Sequence, residues 1–104
     1  ILREMRFLVP IFLLLSSLVI AEDKANDQTL AQAGDEVAQF NLAYDYYNGI
    51  GVEEDYELTF YWYSQSANQA YADAQFTLGL MYERGHGVKQ NYEKAFEWNL
   101  LAGK

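Results

Sequence analysis

The chain has 104 residues, room for one small domain. It carries no cysteine, which excludes a disulfide framework and a thiolate metal site. Its 7 Lys and Arg against 15 Asp and Glu, a net charge of −8, oppose a nucleic-acid partner, because phosphate binding needs clustered cations, and its 16% aromatic content opposes disorder.

At the N-terminus, Met5-Arg6 precedes an apolar run over 7–20 and a small residue, Ala21, before Glu22-Asp23-Lys24. One base, an apolar run and a small-residue site form a signal-peptide pattern. The run is 14 residues long, too short to span a hydrocarbon core of ~30 Å comfortably. Val19 and Ala21 suit the −3 and −1 subsites, so cleavage is expected after Ala21. No cysteine stands at the junction to take a lipid anchor. Residues 1–4 precede Met5, the expected start, and mark a misplaced gene start or a fragment. The expectation is a periplasmic or secreted protein with no membrane attachment after cleavage.

Residues 22–33 read as a polar linker running into a degenerate helix, stopped at Gly34. A helix is predicted over 35–47, where Ala38, Leu42 and Tyr46 fall on one stripe at i, i+4, i+8. Gly49 suits the left-handed residue that ends a helix, Gly51 lets the chain turn back, and Val52 tucks beneath the turn. Asp55 is a favourable N-cap for a second helix over 56–67, with Thr59, Trp62, Ser66 and Ala67 facing inward. Further helices are predicted over 71–83 and 92–103, the latter capped by Asn91. No segment alternates as a strand would.

The second pair of helices repeats the first. Ala38, Gln39, Phe40, Leu42, Tyr46, Gly49, Gly51, Val52, Tyr56, Phe60 and Trp62 recur 36 residues later, from Ala74 to Trp98, without a gap. A period in this range marks a stacked repeat array. About twelve of thirty-five paired positions are identical, and they are the small, aromatic and glycine positions that an architecture demands. The differing positions are free to carry specificity. The copies cover 34–69 and 70–104. Ala43, matched by Gly79, is small where two helices must approach closely.

These residues resemble the Sel-1-like repeat, a relative of the tetratricopeptide repeat. The second copy carries Ala74, Leu78-Gly79, Met81-Tyr82, Gly85-His86-Gly87-Val88, Ala95, Trp98 and Ala102. The first copy departs at Ala43, Asp45, Thr59 and Ala70, which read as small or surface changes. The resemblance implies an all-α fold, an α/α solenoid of antiparallel helix pairs with two full repeats and an N-terminal remnant. It also implies a non-enzymatic adaptor that holds a protein or peptide along the concave face of the first helix of each pair. By analogy with the tetratricopeptide repeat, that face comprises Val37, Phe40, Asn41, Tyr44, Tyr47 and Asn48, then Asp73, Phe76, Thr77, Leu80, Glu83 and Arg84. Tyr44, Tyr47, Leu80 and Arg84 differ between the copies and are the better specificity candidates; Tyr and Arg bring large contact area with a polar handle.

No cofactor, metal or catalytic group is expected. His86 is the only histidine, has no partner ligand, and reads as an exposed loop residue. The acids Glu53, Glu54, Asp55 and Glu57 lack the ligand spacing of a calcium loop and suit a solvated helix N-terminus. Some secreted relatives are described as β-lactamase-like or penicillin-binding, which makes a cell-wall-related hydrolase the alternative. The Ser-x-x-Lys motif it requires is absent, because Val19, Ile20, Ala67 and Gln69 follow Ser16, Ser17, Ser64 and Ser66 at the third place. A third reading is a structural segment of a longer repeat protein. Arrays generally need about three or more repeats, and the last pair has no covering helix in the sequence. Further repeats past the C-terminus or self-association are therefore expected.

Overall fold

The computed structural model describes residues 26–103; the signal peptide read over 1–21 lies outside them. The described residues form five helices and no strand. They are α1 (26–32), α2 (Glu36–Asn48), α3 (Tyr56–Asn68), α4 (Ala72–Arg84) and α5 (Tyr92–Ala102). Each helix from α2 to α5 packs on its sequence neighbours. The α2–α3 hairpin is antiparallel: Asp55 N–H at the start of α3 donates to the Tyr46 carbonyl near the end of α2 (2.9 Å), and Ser66 Oγ near the end of α3 donates to the Glu36 carbonyl (2.7 Å). This is the architecture of an α/α solenoid.

Local chemistry sets the boundaries. Asp35, Asp55 and Asn91 accept, through their side chains, the N–H groups of Ala38 (2.8 Å), Leu58 (3.0 Å) and Lys94 (3.0 Å), satisfying donors that a helix start leaves free. The N-cap of helix α4 is Tyr71, which offers no side-chain hydrogen bond. Gly49 and Gly85 end α2 and α4 in the left-handed region, at φ 68° and 72°. The predicted ends therefore agree with the observed ones to about one residue.

The core repeats with the same period as the sequence. A small cluster joins Ala31 of α1 to Ala38 and Leu42 of α2, with Tyr46 and Trp62 packed against it. Their counterparts 36 residues on, Ala67, Ala74, Leu78, Tyr82 and Trp98, all belong to the larger cluster. Polar contacts follow the same rule. Gln39 Nε2 donates to the Ala31 carbonyl (3.1 Å), and Gln75 Nε2 donates to the Ala67 carbonyl (3.3 Å). Helix α1 thus packs on α2 as α3 packs on α4. The small pair Ala43 and Gly79 marks close helix approach: Ala43 is fully buried, and a Cβ on Gly79 would lie 3.1 Å from the Ala95 carbonyl oxygen and against Asn99 Oδ1.

Two expectations need correction. Thr59, Ser66 and Ala67 of α3 are buried, but Trp62 is only half-buried, and Tyr63 is the large side chain that fills the core, at 3% exposure. Helix α3 is gripped by α2 on one side and α4 on the other, so its buried arc is wider than one stripe. Trp62 lies at the edge of that arc and touches both clusters. Asp45, read as a surface change, is 4% exposed. It occupies the place that Met81 fills in the second copy, where the helix meets its partner.

Helix α5 differs from α3 in what covers it. Phe60 of α3 is met edge-on by Tyr82 of α4, at 5.5 Å and 87°. The matching stripe of α5, Tyr92, Phe96 and Leu100, with Leu101 beside it, is 65–68% exposed.

Candidate functional site: the cleft between α2 and α4

The first helices of the two pairs, α2 and α4, flank a cavity of about 320 Å³. Helix α2 presents Phe40, Tyr44, Tyr47 and Asn48 to it, spaced i, i+4, i+7, i+8 along one face. Helix α4 presents Thr77, Leu80, Met81 and Arg84, spaced i, i+3, i+4, i+7. Tyr63 of α3 closes the back, and His86 enters from the loop after α4.

The floor is apolar and held rigidly. The Phe40 ring packs against Tyr63 and Tyr71, each with centroids 5.3 Å away and tilted by 59° and 52°. Such tilted aromatic pairs favour one ring orientation. Burial, followed by the neighbouring Tyr44, Tyr47 and Asp45, pushes the Tyr63 hydroxyl well above the usual phenol range. The floor therefore stays uncharged at any physiological pH.

The rim is polar. Asn48 Nδ2 donates to the Tyr44 carbonyl (3.0 Å), which fixes the amide and leaves its oxygen as an acceptor. Thr77 Oγ1 donates to the Asp73 carbonyl (2.8 Å). At one end, three rings overlap: Tyr47 on Tyr56 at 5.2 Å and 18°, and Tyr56 on His86 at 5.1 Å and 19°. His86 is thus half-buried and part of the wall, not the exposed loop residue expected from sequence. The reason is the loop path. Gly85 and Gly87, at φ 72° and 70°, fold the loop onto the start of α3, so closely that a Cβ on Gly87 would collide with the Tyr56 carbonyl.

Seven of the twelve residues placed on the concave face line this cleft: Phe40, Tyr44, Tyr47, Asn48, Thr77, Leu80 and Arg84. Val37, Asn41, Asp73, Phe76 and Glu83 do not. The sequence reading missed Tyr63, Met81 and His86. Met81 had the helical spacing from Thr77 and Arg84 to be included, but its family position marked it as core. Nothing local in the sequence places Tyr63 or His86 there, because each arrives from a different element.

Electrostatically the cleft departs from the rest of the chain. Its lining includes Arg84 and His86 and no Asp or Glu, whereas the whole chain has 15 acids to 7 bases. Among the described residues, no carboxylate pairs with Arg84.

Residues 37–71 and 72–103 each match the family model described as Sel1 repeat. The chain belongs to the Sel1 repeat family. The two Sel1 units supply α2–α3 and α4–α5. Among solved structures, a Sel1 repeat protein from Oxalobacter formigenes is 33% identical over 76% of this chain, with a TM-score of 0.75. The protein c5321, a protective antigen of uropathogenic Escherichia coli with an SLR fold, is 32% identical over 77% of this chain, with a TM-score of 0.74. The chain spans 23% and 17% of those two proteins. No curated protein matches it. Sel1 repeats generally mediate protein–protein interaction. Among the described residues, no helix is long and apolar enough to cross a membrane.

Proposed function

We propose that this Sel1 chain is a non-catalytic adaptor of the bacterial envelope or secretome, and that it holds a protein or peptide in the cleft between α2 and α4. One observation carries the reading. The cleft has an apolar floor and a polar rim, and its lining includes four residues at positions where the copies differ: Tyr44 against Leu80, and Asn48 against Arg84. An architecture requires none of these four, so they are available for recognition. Exposed tyrosine and arginine around an apolar depression are the residue types that dominate interface energies. Export rests on the apolar run over 7–20 and the site at Ala21.

The test is recovery of partners from an envelope extract by tagged wild type and by the Tyr44→Ala, Arg84→Ala double variant, with equal helical content verified by circular dichroism. The wild type retains proteins that the double variant loses. Equal recovery rejects this surface. Turnover of nitrocefin or muropeptides by pure protein would instead favour the hydrolase alternative.

A further inference from the structure

We infer that the cleft selects a peptide segment in which a bulky apolar side chain stands next to an Asp or Glu. The inference rests on the reading of the cleft as a peptide seat and adds the chemistry of the ligand.

The apolar half follows from the floor. Phe40, Leu80 and Met81 surround a cavity of about 320 Å³, at the small end of ligand pockets and suited to one large side chain. The Phe40 ring is locked by Tyr63 and Tyr71, so the depression exists before a ligand arrives and little ordering cost falls on binding. Beside it, the Asn48 amide oxygen is left as an acceptor for a peptide N–H once its nitrogen has bonded Tyr44.

The acidic half follows from Arg84. Arg84 belongs to the cleft lining, which holds no Asp or Glu, and it has no carboxylate partner among the described residues. It is thus a free bidentate donor at the edge of an apolar depression, which is what a carboxylate beside an apolar anchor requires. The chain's net charge of −8 works against any acidic ligand at long range. At physiological ionic strength, however, charges farther than about 8 Å are largely screened, while a direct Arg–carboxylate contact survives. The local term therefore decides the preference, and the long-range term slows arrival.

The experiment is fluorescence anisotropy at physiological ionic strength, using three labelled peptides with one central Phe flanked by Glu, Gln or Lys. The Glu peptide should bind tightest, on the order of fivefold better than the Gln peptide, a gap set by one partly exposed ion pair. Arg84→Gln should abolish that gap and leave the Gln peptide unchanged, and Arg84→Lys should keep part of it. Equal binding of Glu and Gln peptides, or tightest binding of the Lys peptide, overturns the acidic preference. If Tyr44→Ala then still weakens all three peptides, the peptide-seat reading stands alone. If no peptide binds, or Tyr44→Ala changes none of them, both fail.

Discussion

The imidazole of His86 lies almost parallel to the phenol ring of Tyr56, with centroids 5.1 Å apart and planes 19° from parallel. Tyr47 packs on the same ring at 5.2 Å and also lies 6.2 Å from His86, so the three rings form one cluster. Three elements, α2, α3 and the loop after α4, are thereby joined at one end of the cleft. The ring contacts are expected to add to the loop's own hydrogen bonds in holding it against α3. His86→Ala should cost about 0.5–1.5 kcal/mol, the usual worth of an aromatic pair. Hydrogen exchange of the amides over 85–90 should quicken more than that of the helices. Unchanged exchange there would show that the stack is not what holds the loop.

Ala70 is the one non-glycine residue at positive φ among the described residues, at 66°. It follows the end of α3, where its counterpart 36 residues earlier is Gly34. The left-handed region costs an L-residue about 1–2 kcal/mol, because Cβ crowds the carbonyl oxygen. Glycine removes that cost but gains entropy in the unfolded chain, so the net benefit of Ala70→Gly is about 0.5–1 kcal/mol. Thermal melting should show a midpoint roughly 2–6 °C higher. A lowered midpoint would mean that the Ala70 methyl makes contacts worth more than the strain.

Stability should fall at alkaline pH because of Tyr63. Burial first, then Tyr44, Tyr47 and Asp45, raise its hydroxyl above the ordinary value of 10.0, so the folded chain keeps a proton that the unfolded chain has released. The stabilisation is complete below the unfolded value and is lost as pH rises above about 10. This one group contributes a slope of at most about 1.4 kcal/mol per pH unit. Denaturant midpoints across alkaline pH should fall less steeply in Tyr63→Phe than in wild type. Identical slopes would remove the hydroxyl from the account.

The stripe of Tyr92, Phe96 and Leu100 on α5 is 67–68% exposed, although Phe60, the counterpart of Phe96, is covered by Tyr82. An exposed apolar stripe of this kind suits either a following repeat or a second copy of the chain. Residues 1–104 taken by themselves are expected to pair through α5 with a second copy. Light scattering should give a mass that rises above that of one chain with concentration, and Phe96→Glu with Leu100→Glu should restore the single-chain mass. A concentration-independent single-chain mass in wild type would remove this pairing.

How far the sequence led depends on the range of the interactions involved. Asp35, Asp55, Asn91, Gly49 and Gly85 act within one turn of their own positions, so the helix ends could be read from neighbours alone. The 36-residue repetition extended that reading to packing, because Ala31, Ala38 and Leu42 had to bury the same surfaces as Ala67, Ala74 and Leu78. The stripe of Tyr44, Tyr47 and Asn48 opposite Leu80 and Arg84 came from the resemblance to the tetratricopeptide repeat, and helical spacing is what lets those side chains share a face.

Where two or three elements meet, spacing stopped being informative. Tyr63 is buried because α4 arrives on the side of α3 that α2 leaves open, and its counterpart Asn99 is no guide to it. Asp45 is buried because helix approach, not polarity, decides what lies at that place. His86 became part of the cleft wall because two left-handed glycines turn its loop onto Tyr56, 30 residues away in the chain. The sequence alone determined the helices, their order and the family, which depend on local backbone preference and on repetition. Only the tertiary structure decided which side chains close the cleft, because that depends on distances between elements that no single segment encodes.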